Sequence, residues 1–143
     1  MFASPKKLLG LALGAILVLL SACVIMSPVR NVGLTLTGAE EVPPVATDAR
    51  GTGTLMVADN RAVSGVLTTS GLTGVEAHIH VGARGENGPI AIGLVRTADD
   101  VWVVPSGAKF TADQYAAFLA GRTYVNVHSA GNRAGEIRAQ MTP

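Results

Sequence analysis

The chain has 143 residues, with 11 lysine and arginine side chains against 10 aspartate and glutamate, 48% apolar residues and only 4% aromatic ones. Beyond Lys6 and Lys7 there is no basic stripe or run, so the electrostatic footprint of nucleic-acid binding is missing and no nucleic acid is expected as a partner. Cys23 is the sole cysteine, which excludes an internal disulfide and leaves stability to an apolar core.

Lys6 and Lys7 precede an unbroken run of apolar residues and glycine from Leu8 to Leu20, the make-up of a signal peptide and too short for a comfortable membrane span. The run ends in Leu20-Ser21-Ala22-Cys23, which resembles the lipobox of bacterial lipoproteins. The resemblance implies cleavage before Cys23, a lipid on its thiol and an exported domain anchored to the membrane at the cell envelope. Val24 rather than aspartate after the cysteine implies outer-membrane sorting in a two-membrane bacterium, facing the cell surface or the periplasm. The alternative is an uncleaved N-terminal anchor. The expected division is a signal peptide over 1–22, a lipidated tether over 23–33 and one domain over 34–143. Without residues 1–22 the chain keeps nine basic and ten acidic side chains, within the usual size of one domain.

Residues 24–33 read as a spacer in which Pro28 argues against helix. Gly33 to Gly38 then alternates apolar residues with threonine, as a half-buried strand does, and Glu40-Glu41-Val42-Pro43-Pro44-Val45 follows as an extended loop. Residues 53–58, 62–69, 75–81, 90–95, 101–104, 123–128 and 136–141 are short, rich in Val, Ile, Leu and Thr, and separated by Gly, Asn, Asp or Pro. Eight such strands predict an all-β, Greek-key-like antiparallel sandwich or barrel. One short helix interrupts it at about 111–120, with Thr111 and Gln114 as a capping box, Gly121 as a left-handed stop, and Tyr115, Phe118 and Leu119 on a face that packs against the sandwich.

All three histidines fall in two of these strands. Side chains alternate across a strand, so His78 and His80 share one face of AHIHVG while Ala77, Ile79 and Val81 take the other. Likewise Tyr124, Asn126 and His128 lie opposite Val125 and Val127. With the aliphatic faces inward, the histidines are expected on the outside of the sandwich. If the two strands are neighbours, three imidazoles converge into a ligand set for a divalent transition metal, copper above all outside the cytoplasm. Glu136 offers a fourth donor, because Glu136, Arg138 and Gln140 share a face and the hairpin through 129–135 returns that strand beside His128. Asn126, Gln140 or Glu136 itself would orient a histidine through its second nitrogen. The competing account has these residues hydrogen-bonded across a solvated sheet face, with histidines holding loops such as Gly82–Pro89 and no metal at all. That loop, with Asn87-Gly88 in it, reads as a structural turn and not a phosphate cradle, since no helix follows.

The segments LTGAEEVPPVATDARGTG, AHIHVGARGENGPI, FTADQYAAFLAGRTYVNVHS and GNRAGEIRAQ, in that order, resemble the chordin-type or CHRD domain family over residues 34–141. The resemblance implies a mostly β domain, repeated in an extracellular growth-factor antagonist and single in many exported bacterial proteins, and it carries no specific activity. A single copy without cysteine-rich modules departs from chordin itself, which takes growth-factor binding out of reach. The H-x-H strand is also similar in type to the copper site of copper-zinc superoxide dismutase, although three histidines are too few for a copper and a bridging zinc site and the cysteine pair is missing.

Other chemistries find little support. Glu40, Glu41 and Glu76 have no defined spacing for paired-carboxylate hydrolysis, and no serine sits in a nucleophile elbow. The expectation is therefore a lipid-anchored binding module with a copper site at His78, His80 and His128 and an unidentified protein partner, more a binder than an enzyme. The alternatives are a superoxide dismutase-like copper enzyme and an interaction or envelope-structural module without metal.

Overall fold

The computed structural model describes Met1 and residues 28–143. The expected signal peptide beyond Met1 and the Cys23 lipidation site lie outside the described residues, as do residues 24–27 of the tether. Among the described residues nine strands form one antiparallel sheet: β1 (Val29–Thr37), β2 (Arg50–Ala58), β3 (Val63–Ser70), β4 (Gly74–Val81), β5 (Ile90–Gly93), β6 (Val95–Ala98), β7 (Val101–Val103), β8 (Thr123–Ser129) and β9 (Ile137–Gln140). Their order across the sheet is β5-β4-β8-β9-β1-β2-β3-β7-β6.

This order nearly closes the sheet on itself. β5 and β6 lie at its two ends yet are separated in sequence by Leu94 alone, whose amide donates to Ala77 of β4 at 2.8 Å. The continuous aliphatic run 90–95 is thus two strands and not one, and Leu94 turns the chain from one edge of the barrel to the other. The all-β barrel-like expectation stands, with nine strands where the sequence pattern predicts eight.

β1 begins at Val29, inside the stretch expected to be a spacer, because Val29 to Thr37 pair without a break with Ala58 to Arg50. Alternation does the rest. Val32, Leu34 and Leu36 point inward, meeting Leu55 and Val57 of β2, Leu67 of β3, Ile79 of β4, Val125 and Val127 of β8 and Ile137 of β9 in one core. Trp102 of β7 joins them, 2% exposed.

The helix α1 (Ala112–Leu119) follows Thr111, whose hydroxyl accepts from the Gln114 amide at 3.2 Å while the Gln114 side chain accepts from the Thr111 amide at 2.9 Å. Gly121, at φ +68°, takes the left-handed turn that ends it. Phe118 is fully buried against Phe110 and Tyr115 packs at the core's edge, but Leu119 is 45% exposed and contributes little. Tyr115 instead uses its hydroxyl, donating to Asp59 at 2.9 Å beside the Arg30–Asp59 ion pair that joins the start of β1 to the β2–β3 turn.

Candidate metal centre

β4 and β8 are neighbours, with His78 opposite Asn126, His80 opposite Tyr124, and Glu76 opposite His128. Adjacent pairing is what brings the three histidines to one face. His78 Nδ1 lies 3.0 Å from His128 Nε2, and one nitrogen from each of His78, His80 and His128 can be chosen so that all three lie within 4.8 Å of one another.

The face that carries them is largely covered, with Glu76 exposed and His78 partly so at its β4 side. Every residue of β8 is buried, Tyr124, Asn126 and His128 as much as Val125 and Val127. Three loops cover it. The long β1–β2 connection, opening with a single 3-10 turn at Gly38–Glu40, is held at one end by Asn87 Nδ2 donating to the Val42 carbonyl at 2.7 Å and by the Arg84–Glu40 ion pair. At its other end Thr47 donates to Glu136 Oε1 at 2.8 Å. The 82–89 and 130–136 loops complete the cover, so sequence alternation alone finds the face and misjudges its burial.

These loops also set the histidine tautomers. His80 Nδ1 donates to the Gly88 carbonyl and His128 Nδ1 to the Arg133 carbonyl, each at 2.9 Å, since a carbonyl only accepts. In the neutral rings both Nε2 atoms are then bare lone pairs. That of His128 receives the Nδ1 proton of His78, whereas His80 Nε2, buried, has no partner at all. Burial first, and then the neighbouring His128 and His80 charges, hold His78 below the usual imidazole range. Burial does the same for His80, against the opposing pull of the Gly88 carbonyl. Both rings are therefore in the neutral form that ligates metals.

His80 is braced by an aromatic neighbour. Its ring stacks on Tyr124 with centroids 4.7 Å apart and planes 2° from parallel, and the Arg138 guanidinium lies 3.4 Å from the Tyr124 ring centroid, close enough for a cation–π interaction. Arg138, 1% exposed, donates in turn to Asn87 Oδ1, the Ala83 carbonyl and Gln140 Oε1. His78 is partly exposed and is the side from which solvent reaches the cluster.

The CHRD domain family model matches residues 32–141, most of the chain. The chain belongs to the CHRD domain family. No curated protein and no solved structure matches it. Within this CHRD domain the matched stretch contains the complete histidine cluster and all three covering loops.

Of the other residues nominated from sequence, Glu136 is drawn away from the cluster: besides the Thr47 hydroxyl, Ser129 and Asn132 hydrogen-bond its carboxylate and, against its partial burial, hold it below the usual carboxylate range. Gln140 donates to the Gly82 and Gly121 carbonyls, both at 2.9 Å, and accepts from Arg138, so it fixes a loop and not a histidine. Asn126 does lie beside His80. Sequence reasoning missed Gly88, Tyr124, Arg138 and Glu41 as parts of the site. The polar character of the 124–140 faces pointed toward Tyr124 and Arg138, and the account in which histidines hold the Gly82–Pro89 loop pointed toward Gly88, whereas nothing in the sequence pointed toward Glu41.

Three imidazoles can take Cu(II) or Zn(II) as neutral nitrogen ligands. A tetrahedral centre with bonds of about 2.0–2.1 Å spaces its donors about 3.4 Å apart, so the widest pair of the cluster has to close up on an ion.

Proposed function

We propose that this CHRD domain is a binding module, exported and lipid-anchored, that takes up one copper ion through His78, His80 and His128. The observation that carries the reading is the His80 Nε2 lone pair, buried without a donor beside two further imidazoles. A buried acceptor left bare costs about 1–3 kcal/mol, and a metal ion relieves it. Copper is favoured over zinc because it tops the divalent affinity order for nitrogen donors.

The test is a Cu2+ titration of the detergent-solubilised full chain beside a His78→Ala/His80→Ala/His128→Ala variant. The expected result is one equivalent bound, with nitrogen hyperfine structure in the electron paramagnetic resonance spectrum, and none in the folded variant. Equal uptake by the two proteins would return the histidines to loop-holding duty and leave a metal-free interaction module. Superoxide disproportionation is the second reading, checked on the copper-loaded protein against free copper in buffer.

The anchoring has a separate basis. Only five residues separate Cys23 from the start of β1 at Val29. At about 3.5 Å per residue even an extended spacer keeps the barrel within about 20 Å of a lipid on Cys23. Cys23→Ser is expected to lose lipid labelling and accumulate as the uncleaved precursor; normal processing of that variant would refute the lipobox.

A further inference from the structure

Five buried side-chain polar atoms among the described residues have no hydrogen-bond partner, and three of them, Glu41 Oε1, Asn126 Oδ1 and His80 Nε2, belong to a row of residues in which Asn126 lies beside both Glu41 and His80. Asn126 sits opposite His78 on the histidine face. Its amide lies close enough to His80 to favour the protonated ring, and close enough to Glu41 to favour the ionised carboxylate. All three residues are more than nine-tenths buried: Asn126 is 2% exposed, Glu41 4% and His80 8%.

Gly135 shows which way the amide is turned. It is held at φ +135°, and a methyl group there would overlap Glu41 Oε1 and stand 2.7 Å from Asn126 Nδ2. The Nδ2 end of the amide thus shares a niche with the carboxylate, and Oδ1, at the opposite end, is left for the histidine side. An amide oxygen and an imidazole lone pair beside each other, with no donor for either, form a pair of acceptors that a cation would satisfy together.

We propose that Asn126 Oδ1 is the fourth donor of the metal centre and that Glu41 is the positioning residue behind it, accepting from Asn126 Nδ2. This rests on the copper reading above. It replaces Glu136, whose oxygens are taken up by Thr47, Ser129 and Asn132. The arrangement places a carboxyl group one hydrogen bond behind a ligand of a divalent ion, whose charge favours the ionised form, as in outer carboxylates behind metal ligands, while the donor itself stays neutral. It also gives the Glu41-Val42-Pro43-Pro44 loop a task beyond covering the sheet.

The experiment is competition for Cu2+ against a chromophoric chelator, using the full chain, Asn126→Leu, Glu41→Gln and the exchange variant Glu41→Gln/Asn126→Asp, each with a thermal melt. Asn126→Leu is expected to weaken binding about 10–100-fold and Glu41→Gln about 10-fold, the cost typical of disturbing an outer metal partner. The exchange variant is expected to bind at least as tightly as wild type, because the carboxylate introduced on β8 ligates directly and the amide introduced in the loop donates to it. A purely structural Glu41–Asn126 contact does not produce that rescue. If Asn126→Leu fails to fold, the Glu41→Gln and exchange variants carry the result. Wild-type affinity in all folded variants, alongside loss in the triple histidine variant, would overturn the fourth donor and leave the three-histidine centre standing. No difference between wild type and the triple variant would overturn both.

Discussion

Gly88→Ala is expected to destabilise the domain by about 3 kcal/mol, the upper range for forcing a methyl into a filled space. At about 4 °C per kcal/mol, where the ranges for smaller and larger domains meet, the melting temperature falls by about 12 °C. A methyl group on Gly88 would overlap the backbone carbonyl of Val81, at the mouth of the hairpin between β4 and β5, where neither partner is a flexible side chain. The displaced backbone has two duties. The Gly88 carbonyl accepts from His80 Nδ1, and its amide donates to the Tyr124 hydroxyl at 3.2 Å. Moving it removes the acceptor that sets the His80 tautomer and loosens the ring on which His80 stacks, so Cu2+ affinity should fall with stability. A variant that melts within about 2 °C of wild type and binds Cu2+ unchanged would show that the loop can shift without reaching the histidines.

The second large effect is a pH dependence. Burial raises the Glu41 carboxyl to about 7 from an ordinary 4.5, against the opposing pull of Arg138 and Asn126. The folded protein therefore holds a proton there that the unfolded chain has released, and stability from Glu41 is complete below pH 4.5 and lost as the pH rises through about 7. A shift of this size corresponds to about 3 kcal/mol. His78 and His80 act in the opposite sense, because their folded forms bind protons less readily than free imidazole, so the unfolded chain gains protons below the ordinary imidazole range. The measurement is therefore the difference between wild type and Glu41→Gln in chemical denaturation from pH 4 to 8. Glu41→Gln is expected to gain up to about 3 kcal/mol on wild type across that window, most of it above pH 7. Parallel curves would mean that Glu41 stays ionised when folded, with Arg138 prevailing over burial.

The same carboxylate ties the two effects to the site. Glu41 belongs to the β1–β2 loop, which is pinned through the Val42 carbonyl to Asn87, the residue before Gly88, and Asn87 Oδ1 receives Arg138 at 3.3 Å. Tension in either loop is thus passed to the stack of Arg138, Tyr124 and His80.

Alternation at period two is enough to find the strands and to sort their faces: Val32, Leu34 and Leu36 inward, His78 and His80 together, Tyr124, Asn126 and His128 together. The capping box at Thr111 is equally plain, because it depends on residues three apart. Leu119 departs from expectation because helical spacing marks a face without saying where its edge meets the barrel. The run 90–95 departs for a similar reason: nothing local in Ile90 to Val95 records that the sheet curls round until its two edges meet at Leu94.

What the sequence by itself determined is therefore everything local: strand periodicity, helix cap, the sharing of a face by the histidines, and membership of a family through ordered motifs. Only the tertiary structure decided that β4 and β8 are neighbours, that three loops bury their polar face, and that Glu136 turns to Thr47 while Asn126 and Glu41 turn to each other. The physical reason is range. Periodicity and capping act over a few residues of backbone, whereas the site joins residues from 41 to 138, and whether a polar face ends in water or beneath a loop depends on contacts that no single segment contains.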